Sequence, residues 1–246
     1  MIPILMEDIQ YREKCEELAR HLNSRIIEDI DSISDDMIYL GYGSNGLSLN
    51  GGDKSMQGDF STMLPRLRPG NLQNEMLIKA VRIKKHEGVL KVIDATAGMG
   101  EDSLILAAAG FDVTMYEYNP VIAALLKDSV DRAKYDEILA NIVGRMHLCE
   151  GDSIKILRDL EQTPDVILLD PMFPERSKSA LIKKKFQLLQ QLEQPCTNEE
   201  ELLEAAISAK PKKIVIKRPV KGPALAGKKP DFSYSGKAIR YDCLLV

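Results

Sequence analysis

Two segments of the chain carry residue types whose spacing suits chemistry. In Val92-Ile-Asp-Ala-Thr-Ala-Gly-Met-Gly100 an apolar run ends in an acid and a tight glycine turn. Gly98 and Gly100 carry no Cβ, so the backbone can come close to a bound ligand there. In Leu168-Leu-Asp-Pro-Met-Phe-Pro174 a second apolar run ends in an acid, a proline and an aromatic. An exocyclic amine of a base is a poor nucleophile, because its lone pair is delocalised into the ring. Asp170 and the carbonyl of Pro171 are types that accept its N–H bonds and favour a more pyramidal nitrogen, proline rigidifies the loop, and Phe173 offers a face on which a displaced base can stack. The glycine turn lacks the third glycine of a dinucleotide fingerprint, since position 103 is Ser103, and Glu101 and Asp102 would repel a pyrophosphate at the helix N-terminus that follows. A ligand carrying an ammonium and a sulfonium suits Asp94 and its acidic neighbours instead. The pair of segments therefore predicts transfer of a methyl group from S-adenosylmethionine (SAM) to a base amine. A nicotinamide-dependent oxidoreductase fits less well, for want of that glycine.

Further residues extend the cofactor half. Glu117 ends the second core strand 23 positions after Asp94 (117 − 94), where an acid accepts hydrogen bonds from ribose hydroxyls. Tyr118 beside it can pack on adenine. Asp152-Ser153, after the third strand, can meet the adenine edge or simply cap a helix. Lys217-Arg218 closes a later strand on the same edge, suited either to RNA phosphate or to pairing with Asp170. His21, His86 and His147 are isolated, and Cys15, Cys149, Cys196 and Cys243 show no CxxC spacing, so no metal site is expected and the thiols read as reduced, in a cytoplasmic protein.

The elements that must position these residues follow from periodicity. Strands are expected at 89–95, 111–116, 145–149, 166–169, 213–217 and 239–246, and helices at 72–85, 102–109, 120–133 (capped by Asn119, with Pro120 first) and from a Thr197–Glu200 capping box to Ala209. Strands alternating with helices imply a doubly wound, mostly parallel α/β sheet, whose ligand sits beyond the carboxyl ends of the strands. Glycines crowd residues 41–58, predicting hairpin turns between short strands near 39–42 and 47–49. Residues 1–69 are thus expected to be a small α+β addition, ending in a linker at 65–70, and residues 70–246 the catalytic domain. The start at Met1 turns acidic at once and is a poor signal peptide, and no apolar run approaches the roughly 18–20 residues of a membrane span. Net charge is −4, yet Lys183, Lys184, Lys185, Lys217, Arg218, Lys221, Lys228 and Lys229 gather cations late in the chain, a footprint that can hold a phosphate backbone or be a solvated face.

These segments, with Glu117-Tyr-Asn-Pro-Val-Ile-Ala-Ala-Leu-Leu126, Lys178-Ser-Ala-Leu-Ile-Lys-Lys184, Lys217-Arg-Pro219 and Arg240-Tyr-Asp242, resemble the bacterial small-subunit (16S) ribosomal RNA guanine-N2 methyltransferases of the J type, in order over about residues 70–246. The resemblance implies a class I SAM-dependent methyltransferase, Rossmann-like with a mostly parallel seven-stranded sheet and a small N-terminal α+β addition. It also implies small-subunit rRNA or the small ribosomal subunit as partner, and cofactor contacts at Glu101, Asp102, Glu117, Tyr118, Asp152, Ser153 and Asp170. Asp170, Pro171 and Phe173 then hold the target guanine, while Lys183, Lys184, Lys217 and Arg218 meet RNA. The chain departs from the family's usual pattern in having Glu101 and Tyr118 where an arginine is common, and a less basic linker. Methylation of an amine in another nucleic acid or a protein, and a non-catalytic RNA-binding module on the same fold, are the other readings.

Overall fold

The structure is a computed structural model that describes residues 2–34, 36–171, 188, 192 and 198–246. The chain begins with β1 (Ile4–Met6), α1 (Arg12–His21), β2 (Ile26–Ile27), β3 (Ile38–Gly43), β4 (Gly46–Gly51) and β5 (Lys54–Met56). These strands form a five-stranded sheet in the order β2-β1-β3-β4-β5. The crowded glycines do make hairpins. Gly43 pairs with Gly46 and Gly51 with Lys54, and positive φ falls on Gly46 (+93°), just after the Ser44-Asn45 turn, and on Gly52 (+58°), inside the Gly52-Asp53 turn. β1 lies parallel to both β2 and β3, an arrangement that three-residue strands do not announce in sequence.

The expected linker is instead helical. α2 (Leu64–Leu67) and α3 (Pro69–Leu72) are single turns, and α4 (Met76–Val81) occupies only the middle of the helix expected over 72–85. Tertiary contacts cut that helix short. The buried ammonium of Lys213 donates to the carbonyls of Ala80 (2.8 Å) and Arg82 (2.9 Å), satisfying acceptors that another helical turn would have used.

The remaining elements are β6 (Lys91–Asp94), α5 (Glu101–Ala108), β7 (Asp112–Glu117), α6 (Pro120–Ala133), α7 (Leu139–Val143), β8 (Met146–Glu150), α8 (Ser153–Arg158), β9 (Val166–Leu169), α9 (Glu199–Ser208), β10 (Lys213–Pro219), β11 (Phe232–Ser235) and β12 (Ile239–Leu245), which alternate as periodicity predicts except that α7 and β11 are additional and α8 is expected only as a helix that Asp152 could cap. Asn119 caps α6 as expected, its side chain accepting from the N–H groups of Val121 and Ile122. Thr197 of the expected capping box lies outside the described residues. β11 is solvent-exposed along all four residues, so it has no apolar alternation to betray it. Among the described residues the second sheet is seven-stranded, in the order β11-β12-β10-β9-β6-β7-β8. β6 to β10 are parallel, and β12 runs antiparallel between β10 and β11. The order reverses at β6, which has β9 on one side and β7 on the other, and this opens a crevice at the carboxyl ends of those strands.

Helices cover both faces. One core joins α4, α5 and the inner edge of α6 to the sheet through Leu104, Ile105, Leu126 and Val215. The other joins α8 and α9 through Leu157, Leu202 and Ile216. A third cluster links the two sheets, because Ile4, Leu40, Leu47 and Leu49 pack against Ile122 and Leu125 of α6. The N-terminal sheet therefore sits directly on α6. No helix among the described residues is long and apolar enough to cross a membrane.

Candidate active site

At the strand ends lies a cavity of about 880 Å³, within the range of small-molecule sites, roughly 300–1,000 Å³. The ends of four parallel strands supply Asp94, Glu117, Asp170 and Lys217, and the first turn of α5 and the cap of α8 add Glu101, Asp102 and Asp152. β6 ends in Asp94, buried at 2 % exposure, whose carboxylate accepts from the Ser103 hydroxyl (2.7 Å) and the Thr96 N–H (3.2 Å). Burial pushes this acid up to about 7, against the pull of its two donors. The chain then turns through Gly98 (φ +53°) and Gly100 (φ +77°) into α5. A Cβ built on Gly98 would meet nothing within 4 Å, whereas one on Gly100 would strike Leu126 at 2.5 Å. Gly98 is thus the place where backbone is bared to the cavity, and Gly100 answers a packing demand.

β7 ends in Glu117. Its two carboxylate oxygens accept from the N–H groups of Gly98 and Asn119, each at 2.8 Å, which ties the glycine turn to the neighbouring strand. Burial raises its pKa and the backbone donors oppose that. Tyr118 follows, 74 % exposed on the cavity rim. Asp152 caps α8 through the Ile154 N–H (3.0 Å) and, with Ser153, lines the cavity as well, so the capping and the lining roles coexist. β9 leads into Asp170, whose backbone N–H donates to Thr96 Oγ1 (2.7 Å). β10 brings Lys217, whose Nζ lies 2.7 Å from Asp102 and 2.8 Å from Asp170. Burial pulls this lysine's pKa down, but the two carboxylates outweigh it and the net shift is upward.

The structure thus gathers Asp94, Gly98, Gly100, Glu101, Asp102, Glu117, Tyr118, Asp152, Ser153, Asp170, Pro171 and Lys217 around one cavity. Phe173, Lys183 and Lys184 lie outside the described residues. Arg218 does not join them: only 1 % exposed, it points to the opposite face of the sheet and pairs with Glu199 (3.1 Å), so it is not presented to a phosphate as expected. Sequence reasoning missed Thr96, although a hydroxyl inside the glycine turn was a usable signal. It also missed a second wall. Gln57, Gly58, Asp59, Phe60 and Thr62, between β5 and α2, close the cavity beside the glycine turn, with Gly58 next to Met99 and Phe60 next to Gly100. Nothing local in that segment marks it, because it reaches the cavity only by virtue of how the first sheet docks on α6.

A parallel sheet with β12 inserted antiparallel beside β10, and an acid-lined cavity at its switch point, define a class I SAM-dependent methyltransferase. The acids, the bared backbone at Gly98 and the cavity's size fit that cofactor. Residues 28–246 match the family described as "Putative SAM-dependent methyltransferase". The chain is 39 % identical over 236 residues to ribosomal RNA small subunit methyltransferase J of Thioalkalivibrio sulfidiphilus, covering 94 % of this chain and 92 % of that one. It is 44 % identical over 179 residues to the protein of the same name in Pseudomonas paraeruginosa, covering 72 % and 68 %. A crystal structure of a SAM-dependent methyltransferase from Neisseria gonorrhoeae superposes with a TM-score of 0.78 at 29 % identity, covering 99 % of this chain and 95 % of that one. The chain belongs to the ribosomal RNA small subunit methyltransferase J family.

Proposed function

We propose that this protein methylates the exocyclic N2 of a guanosine in 16S ribosomal RNA, acting in the cytoplasm on the small-subunit rRNA or the small ribosomal subunit. The names of its relatives support the substrate. The observation that carries the chemistry is Asp170: fixed through its backbone by Thr96, it lines the cavity with a side chain that is 37 % exposed, across the glycine turn from Glu117. SAM, when bound, supplies a methyl group made electrophilic by its sulfonium. In this reading Glu117 holds the ribose hydroxyls with lone pairs its backbone donors leave over, and Tyr118 packs on adenine. Asp152 and Ser153 meet the adenine edge, and Asp94, Gly98, Gly100, Glu101 and Asp102 shape the methionine end. Asp170 and the Pro171 carbonyl accept the amine's N–H bonds, Phe173 stacks on the displaced base, and Lys183 and Lys184 meet phosphate. The reading keeps residues 1–69 as a small α+β unit and 70–246 as the methyltransferase unit.

The test is transfer of labelled methyl from SAM to small subunits and to naked rRNA, both from cells lacking the gene, followed by digestion to nucleosides. Label in N2-methylguanosine is expected, and Asp170→Ala should abolish it while leaving SAM affinity within about tenfold, since a purely electrostatic or orienting acceptor contributes to turnover more than to cofactor binding. Normal turnover in Asp170→Ala would overturn the assigned role, and label in another nucleoside would overturn the substrate.

A further inference from the structure

Strand alternation puts Lys217 and Arg218 on opposite faces of the sheet. Arg218 goes to α9, and Lys217 faces α5, paired in register with Tyr241 of β12. There its ammonium sits between two carboxylates from different elements, Asp102 in the first turn of α5 and Asp170 at the end of β9, at 2.7 and 2.8 Å. Its side chain is 24 % exposed. Two carboxylates that close, in a cleft, would compete for a single proton without a cation between them.

We propose that Lys217 is a positioning residue for Asp170: its ammonium grips Oδ2 of that carboxylate against Asp102, keeping Asp170 anionic and leaving Oδ1 as the acceptor for the target amine, and it is not a contact to RNA phosphate. The inference rests on the methyl-transfer reading above. In that reaction the nitrogen forms its bond to carbon as the carbon–sulfur bond breaks, the electron pair stays on sulfur, and one N–H proton is released to water. An anionic acceptor fixed on the amine favours the attacking geometry before the bond forms. A protonated or swinging Asp170 would do neither. Besides Asp102, the charged and titratable groups around the pair among the described residues are Asp94 on β6, Arg218 on β10 and Tyr241 on β12, with Arg66 of α2 beyond Tyr241. None of these replaces the direct Lys217 contact.

Three variants separate this from an RNA contact. Lys217→Met should lower kcat by about 10²-fold, the scale of losing one preorganised polar group, with the Kd for RNA and its salt slope unchanged. The acidic limb of its kcat profile should move up by about one pH unit or more, because Asp170 loses a cation and keeps Asp102. Lys217→Arg should hold the limb where the native enzyme has it. Asp102→Asn with Lys217→Met, which folds without two facing carboxylates, should bring the limb back while kcat stays low. A readout free of the substrate is the Asp170 side-chain carboxyl signal in ¹³C NMR, which should titrate at higher pH in Lys217→Met than in the native protein. An unmoved Asp170 titration would overturn the proposal. So would a weakened RNA Kd with a shallower salt slope and normal kcat, which would mark a phosphate contact. If the native protein methylates no rRNA guanosine, the functional reading fails, while the Asp170 titration still decides the role of Lys217.

Discussion

Asp94 is an acid that burial holds against ionisation. It is buried, it has two hydrogen-bond donors and, among the described residues, no cation in contact, and burial pushes its pKa up to about 7. For an acid whose folded pKa is raised above the unfolded value, the protonated form is favoured in the folded state. The stability this gives is present at low pH and is lost as pH rises through the folded pKa. The cofactor-free protein should therefore lose about 2 kcal/mol of stability between pH 5 and pH 8 from this group alone. Asp94→Asn should remove that slope, since its amide cannot ionise and the Ser103 hydroxyl can turn to accept. Denaturant titrations at several pH values check it, and an identical slope in the variant would show that Asp94 is already ionised in the native fold. At this scale the sequence was legible for acids that end strands, because a charge closing an apolar run has few purposes other than a site. It was not legible for Lys217 against Arg218. The two are adjacent cations of the same kind, and only the register of β10 against β12 says which one faces the cavity and which is buried on Glu199.

At the scale of elements, the turn between β6 and α5 contains two glycines required for different reasons, and substitution should tell them apart. Both have positive φ, but only Gly100 has a side chain, that of Leu126, in the way of a Cβ. Gly100→Ala should cost about 2–4 kcal/mol, the sum of left-handed strain and overpacking. Gly98→Ala should cost about 1 kcal/mol, from strain alone, and should instead weaken SAM binding, because its methyl group projects into the cavity, within 4 Å of no described residue beyond its chain neighbours. Chemical denaturation and calorimetric SAM titration of both variants give the comparison, and equal destabilisation would refute it. The alternating strands and helices of the larger sheet were readable because each carries its own period, with Asn119-Pro120 marking a helix start and Val166–Leu169 a strand buried on both sides. The elements misread were those decided by neighbours: α4, ended by the Lys213 ammonium, the helical turns at 64–72, and β11, held by pairing with β12 and by packing on α4, with the Lys213 ammonium over the Phe232 ring.

At the scale of the whole molecule, the first sheet is part of the machinery that forms the cavity. Its inner face shares a core with α6, where Ile122 and Leu125 are fully buried. Arg132 of α6 donates to the Gly58 carbonyl, His21 of α1 meets Glu150 at the end of β8 (2.7 Å), and Phe60 is buried beside Gly100. The family match, too, begins at residue 28, inside the first sheet. Removing residues 1–63 would bare Ile122 and Leu125, each contributing about 1.5–3 kcal/mol through burial, and would take away the wall from Gln57 to Thr62. The expected result for the chain beginning at Leu64 is poor solubility, or, if it is recovered folded, at least about a 100-fold loss of SAM affinity, because a ligand site open on one side loses both contacts and the exclusion of water that strengthens its polar interactions. Circular dichroism and calorimetric SAM titration of the truncated and full chains decide the matter. A soluble, folded product that binds SAM as the full chain does would show that the first sheet is a separable attachment, and that the wall it lends to the cavity contributes nothing to holding the cofactor.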